Sequence, residues 1–206
     1  DWVDFAPYVE KLDALSAEEN LPYTATHLIC LTTCPNPAKI EHRLLYVLLN
    51  RQPKRARTYW FVHVSASDKP YEATYQLHTY IPGRIYRIDF YLGFKLQPRL
   101  GLLVRQVIEK LAQQGEIDLL SPYPNLRKYH QAGDFRFLFV RRLINFDARF
   151  SPGERLALQL YQLIDRLSTP VENTYGIDVA AFVKELVPLT TPIIPQELRL
   201  SPRPPS

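Results

Sequence analysis

Methionine is absent from all 206 residues, and glycine and cysteine are scarce, at 7 and 2. Each shortage removes a class of answers. No glycine stands in the Thr33-Cys34-Pro35-Asn36-Pro37 stretch that follows the first expected strand, so a loop of backbone N–H groups cradling phosphate is hard to build there. Cys30 and Cys34 have three residues between them, which is not a metal-ligand spacing, and nothing else completes a ligand set. They read as two neutral thiols suited to a reducing compartment. No run of about 18 apolar residues occurs, so nothing in the chain is expected to cross a bilayer as a helix. No basic-then-apolar leader opens it either. Because the chain starts at Asp1 and lacks methionine, it is expected to be a segment of a longer protein, with any membrane span elsewhere. The G-x-S-x-G elbow, H-E-x-x-H and the eight-residue phosphate-loop signature are all missing. No catalytic role and no cofactor are therefore expected.

Charge of either sign is also modest. There are 25 Lys+Arg against 21 Asp+Glu, a formal balance of +4, which does not announce a nucleic-acid binder. The surplus fits a solvated surface, and it also fits a domain held beside an anionic leaflet.

What the chain does have is apolar and aromatic material, 46% and 12% of residues, enough for a proper core built partly on ring packing. Residues 1–25 read as a lead-in, partly helical, from a preceding membrane region. Residues 26–190 read as an α/β domain, and residues 191–206, with five prolines in the last 15, as an extended tail. Residues 26–32 form a buried strand pattern, and Asn36-Pro37 offers an N-cap and a first-turn proline for a helix over 36–50. Residues 58–66 are apolar on both sides and call for cover on both faces. Residues 73–80 and 84–92 pattern as an antiparallel hairpin turning at Ile81-Pro82-Gly83. In its second strand Tyr86, Ile88, Phe90 and Leu92 share one face, Arg87 and Asp89 the other. A helix follows over 98–114, a strand over 135–143, and a helix over 151–167 opened by the capping box Ser151-Pro152-Gly153-Glu154. Residues 175–188 add a last strand or short helix. The sum is a mixed α/β fold with a central sheet of five or six strands and three main helices, its first two strands parallel.

Five histidines are scattered, and His63 and His78 fall on strands that the pattern makes neighbours, close enough to approach each other. A hydrogen-bonded structural histidine is the plainer reading of each. Asp134 and Arg136 flank Phe135 and suit an ion pair or a turn cap. Arg87 and Asp89 read as two polar residues on one strand face, and Lys54–Arg57 as a solvated basic connector. As a ligand set, Arg55, Arg57, His63, Arg87 and Arg136 are the residues able to meet phosphates and bases.

Several stretches resemble the C-terminal region of the KUP/HAK/KT potassium uptake permeases. The strongest is Arg55-Ala56-Arg57-Thr58-Tyr59-Trp60-Phe61-Val62-His63-Val64, continued by Asp68-Lys69-Pro70-Tyr71. Then come Arg87-Ile88-Asp89-Phe90-Tyr91-Leu92-Gly93-Phe94-Lys95, Gln114-Gly115-Glu116-Ile117-Asp118 and the stretch from Tyr123 to Lys128. Gly133-Asp134-Phe135-Arg136-Phe137, Gly176-Ile177-Asp178 and Val187-Pro188-Leu189 complete a series that keeps its order over residues 24–189. The family tends to place an acidic residue where Lys69 stands and another near Arg141, and small hydroxyl residues where Val179-Ala180 stand. The resemblance implies a multi-span, proton-coupled potassium transporter upstream, in an inner membrane, with this domain on its cytoplasmic side. It implies a homodimer whose domains touch, and an interaction or regulatory role. A cyclic dinucleotide such as cyclic di-AMP is the alternative partner that the resemblance suggests. Nucleic acid is not among the expected partners.

Overall fold

Period-two patterning and a parallel strand pair organise the computed structural model, which describes residues 1–50, 52–96, 100–140, 180–183 and 199–204. Its elements run β1 (Trp2–Asp4), α1 (Ala6–Ser16), β2 (Ala25–Leu31), β3 (Lys39–Glu41) and α2 (His42–Leu49). They continue β4 (Ala56–Ser67), β5 (Ala73–Ile81), β6 (Ile85–Gly93), α3 (Leu100–Gln113), α4 (Pro124–Arg127), β7 (Phe135–Val140), β8 (Ala180–Val183) and β9 (Ser201–Pro202). The main sheet has the order β8-β7-β2-β4-β6-β5, and the two-residue β9 lies along its β5 edge. Strands β7, β2, β4 and β6 are parallel, whereas β5 runs against β6 and β8 against β7. The mixed sheet, the parallel first pair and the antiparallel hairpin expected from the sequence are all present.

Both faces of the central strands are covered. On one side, α3 lays Leu103, Val104, Val107, Ile108 and Leu111 against Ile29, Trp60, Tyr86, Ile88, Phe90, Phe135 and Phe137. On the other, α1 and α2 pack Phe5, Leu12, Leu44, Leu45 and Leu48 on Leu28, Cys30, Tyr59, Phe61 and Ile85. Double burial explains why residues 28–31 of β2 read apolar without alternation. Trp60 and Tyr86 stack at 4.7 Å, and Phe5 meets both Phe61 and Tyr80 edge-on at 4.9 Å. The N-terminal segment therefore carries a strand and a helix packed into the second core.

One boundary differs from the sequence reading. The helix expected from Asn36 begins at His42, because residues 39–41 pair antiparallel with β1 and are held extended. Asn36 still acts locally, its side chain accepting from the Ala38 N–H at 2.9 Å, but it caps a turn rather than a helix. The expected helix at 151–167 lies outside the described residues. Of residues 175–188 only β8 is described, paired antiparallel with β7. Among the described residues, no helix is long and apolar enough to cross a membrane.

Candidate functional site

An open parallel sheet binds ligands at the carboxyl ends of its strands, where connections leave a central strand in opposite directions. Here that place is the end of β2, flanked by β4 and β7. The chain leaves β2 through residues 32–38, and this loop closes over side chains rising from the sheet. Arg87 of β6 is 2% exposed and Asp89 4%. Their charges are paired at 2.8 Å, which is what permits two ionised groups inside the layer. The remaining guanidinium donors of Arg87 reach Cys34 O at 2.6 Å and Asn36 O at 3.1 Å. The second Asp89 oxygen lies 2.9 Å from His78 Nε2. Tyr80 donates to Pro37 O at 2.5 Å, and burial pushes its phenol up to about 12.

His63 sits opposite Asp89 in the β4–β6 register. Its Nδ1 lies 3.2 Å from Thr32 O, and since a carbonyl only accepts, Nδ1 carries the proton. Nε2 is then free to accept from Ser65 Oγ at 3.1 Å. Burial lowers the basicity of the ring, against the pull of the Thr32 carbonyl. Glu41 completes the arrangement. It is 2% exposed and accepts from Thr32 Oγ1 at 2.6 Å, Thr33 N at 2.5 Å and Thr33 Oγ1 at 2.7 Å.

The chemistry of this crevice is the reverse of a phosphate cradle. A phosphate loop aims N–H groups at its ligand. This one aims the carbonyl oxygens of Thr32, Cys34, Asn36 and Pro37 inward, and the protein's own His63, Arg87 and Tyr80 satisfy them. The result is a self-liganded crevice that fixes a loop.

The five residues expected to meet a ligand do not converge. Arg87 and His63 share the crevice. Arg55, only 9% exposed, donates to Ser16 O at 3.0 Å, Leu21 O at 2.7 Å and Tyr23 Oη at 3.1 Å, with its guanidinium over the Tyr23 ring at 3.9 Å. It fastens the end of α1 to the start of β4. Arg57 binds Asp118 at 2.7 Å and Leu120 O at 3.0 Å, and Arg127 meets the same Asp118 oxygen at 2.7 Å. Burial works against ionisation of Asp118, but hydrogen bonds from Arg127, the Leu120 N–H and Arg57 outweigh it and hold the carboxyl well below the usual carboxylate range. Arg136 pairs with Asp134 at 3.1 Å, while the other Asp134 oxygen accepts from Thr26 N at 2.7 Å. The ion pair expected of Asp134 is there, and its other oxygen ties the start of β7 to the start of the neighbouring strand β2 and caps no turn. His63 and His78 are not on adjacent strands, because β6 lies between β4 and β5, and they approach Asp89 from opposite sides. Sequence reasoning missed Glu41 and Tyr80, whose roles depend on the course of the loop between them.

A family model described as K+ potassium transporter C-terminal domain matches residues 26–191. The chain belongs to that family. Among curated relatives, a protein of Cytophaga hutchinsonii printed as "Probable potassium transport system protein Kup" is 34% identical over 189 residues, covering 92% of this chain and 29% of that protein. Proteins of the same description from Flavobacterium johnsoniae and Streptococcus agalactiae are 34% and 27% identical, covering 88% and 91% of this chain and 28% of each relative. The chain thus spans under a third of the length of the relatives it matches. No solved structure matches it. Within the family's matched span lie the Arg87–Asp89 pair, the loop they hold and the Arg57–Asp118–Arg127 cluster.

Proposed function

We propose that this domain is an interaction and regulatory domain of a proton-coupled potassium transporter, held at the cytoplasmic face of an inner membrane and contributing to contacts between two copies. It acts by shape and surface, without catalysis. One observation carries the reading: within a potassium-transporter domain family, the buried charges at the sheet's ligand-binding end are spent on the protein's own carbonyls. Such a crevice supports a rigid body that docks, better than one that turns over a substrate. Of the five residues named for a cyclic dinucleotide only Arg87 and His63 come together, and all are engaged by protein groups, so the geometry favours docking over nucleotide sensing.

The test uses the full-length transporter. Removing residues 26–191 in frame is expected to alter rubidium uptake or oligomeric state while the protein remains in the membrane. Unchanged uptake together with an unchanged oligomer contradicts the proposal. Calorimetry with cyclic di-AMP checks the alternative, and saturable heat at micromolar ligand would favour it.

A further inference from the structure

Strand β5 is the last full strand of the sheet on its side, and an outer edge of this kind offers unpaired N–H and C=O groups to any extended chain. The protein's own residues take that place. Ser201 and Pro202 lie parallel to Thr74 and Tyr75, and the Arg203 N–H donates to Tyr75 O at 2.8 Å. Leu200 packs against the core under α3, and its N–H reaches Gln106 Oε1 at 3.3 Å. The Arg203 guanidinium lies over the Tyr91 ring at 3.8 Å. Pro202, which has no N–H to offer, suits an outermost position.

The contact is short. Among the described residues, the segment pairs with Thr74 and Tyr75, whereas β5 continues to Ile81. Beside the segment a groove of about 320 Å³ runs between β5 and α3, lined by Tyr75, Leu77, Val107, Lys110 and Arg203. Residues 201–204 remain exposed even when seated. A two-residue ladder with one half-buried leucine and one stacked arginine opens at low free-energy cost compared with the core strands.

We infer that the outer edge of β5 and the flank of α3 form a strand-addition groove for an extended aliphatic–x–Pro–basic segment, and that the chain's own Leu200–Arg203 is its reversible occupant. The mode is strand addition: backbone bonds to Tyr75 give affinity, and the Leu200 and Arg203 contacts give register. The segment closes in cis an edge that an equivalent peptide in trans must compete for. This inference is independent of the transport reading.

The experiment compares the full 206-residue chain with its Leu200→Ala/Arg203→Ala double variant, using a fluorescently labelled peptide of residues 195–206. Both substitutions lie outside the two cores' buried residues, and far-ultraviolet circular dichroism is expected to be unchanged. If the native segment is seated about nine-tenths of the time, the variant takes the peptide about tenfold more tightly than the unaltered chain. A peptide of scrambled order binds neither. Equal affinity for the two chains, no binding to the variant, or equal binding of the scrambled peptide would each overturn the inference. Amide exchange gives a second reading: residues 74–75 exchange faster in the variant and return to the original rate when peptide is added. Unchanged exchange would also count against it.

Discussion

At the scale of single residues, Arg87 and Asp89 hold each other in place inside the layer beneath the 32–38 loop. Removing one partner strands a buried charge, which costs far more than the pair itself contributes. Asp89→Ala is therefore expected to lower unfolding stability by about 3–5 kcal/mol in a urea titration. The double substitution Arg87→Met/Asp89→Leu should lose less than Asp89→Ala alone, since two apolar side chains leave no orphaned charge. His27 gives the second prediction. It is fully buried, stacked on Phe135 at 4.6 Å, and its Nδ1 accepts from Trp60 Nε1 at 3.3 Å. Burial first, then the nearby Arg57 charge, lowers its pKa to about 3. The folded state therefore refuses a proton that the unfolded state accepts below about 6.5. Its contribution is complete above that value and declines as pH falls toward 3, by roughly tenfold in the folding equilibrium per pH unit. Denaturant midpoints between pH 7 and pH 4 should show this slope in the native chain and a flatter one in His27→Gln. An unchanged slope would remove His27 from the account.

Long polar side chains join elements alongside the apolar cores. Arg55 joins α1 to β4 through two carbonyls and a phenol, so Arg55→Ala is expected to cost about 2–3 kcal/mol. Hydrogen exchange should place the loosening in α1, and Arg55→Lys should recover only part of it, because an ammonium cannot span those partners. The same scale shows what was legible in the sequence. The strands could be read because β2, β4 and β6 declare themselves by continuous or alternating apolar residues, and the split of β6 into Tyr86, Ile88, Phe90 and Leu92 against Arg87 and Asp89 came directly from period two. The start of α2 could not, because β3 exists only through its pairing with Trp2–Asp4 some forty residues earlier. Nor could β9, since Ser201-Pro202 has no strand signal of its own and is extended against β5 through backbone and neighbouring side chains. Of the candidate ligand set, residue chemistry suggested the arginines, but only the fold reveals that each one already has a protein partner.

For the whole molecule, the carboxyl end of the parallel strands is closed by the protein's own side chains, and the chain spans 29% of the Cytophaga hutchinsonii relative. On the proposed function, the domain does its work through the protein it is attached to. Blocking its surface should then change a membrane activity, whereas adding small-molecule substrates to the isolated chain should release no product. Antibody against the domain, applied to membrane and soluble fractions of the native cell, tests the central claim most directly. The account predicts a band several times larger than 24.0 kDa, wholly in the membrane fraction. A soluble band near 24.0 kDa would contradict it.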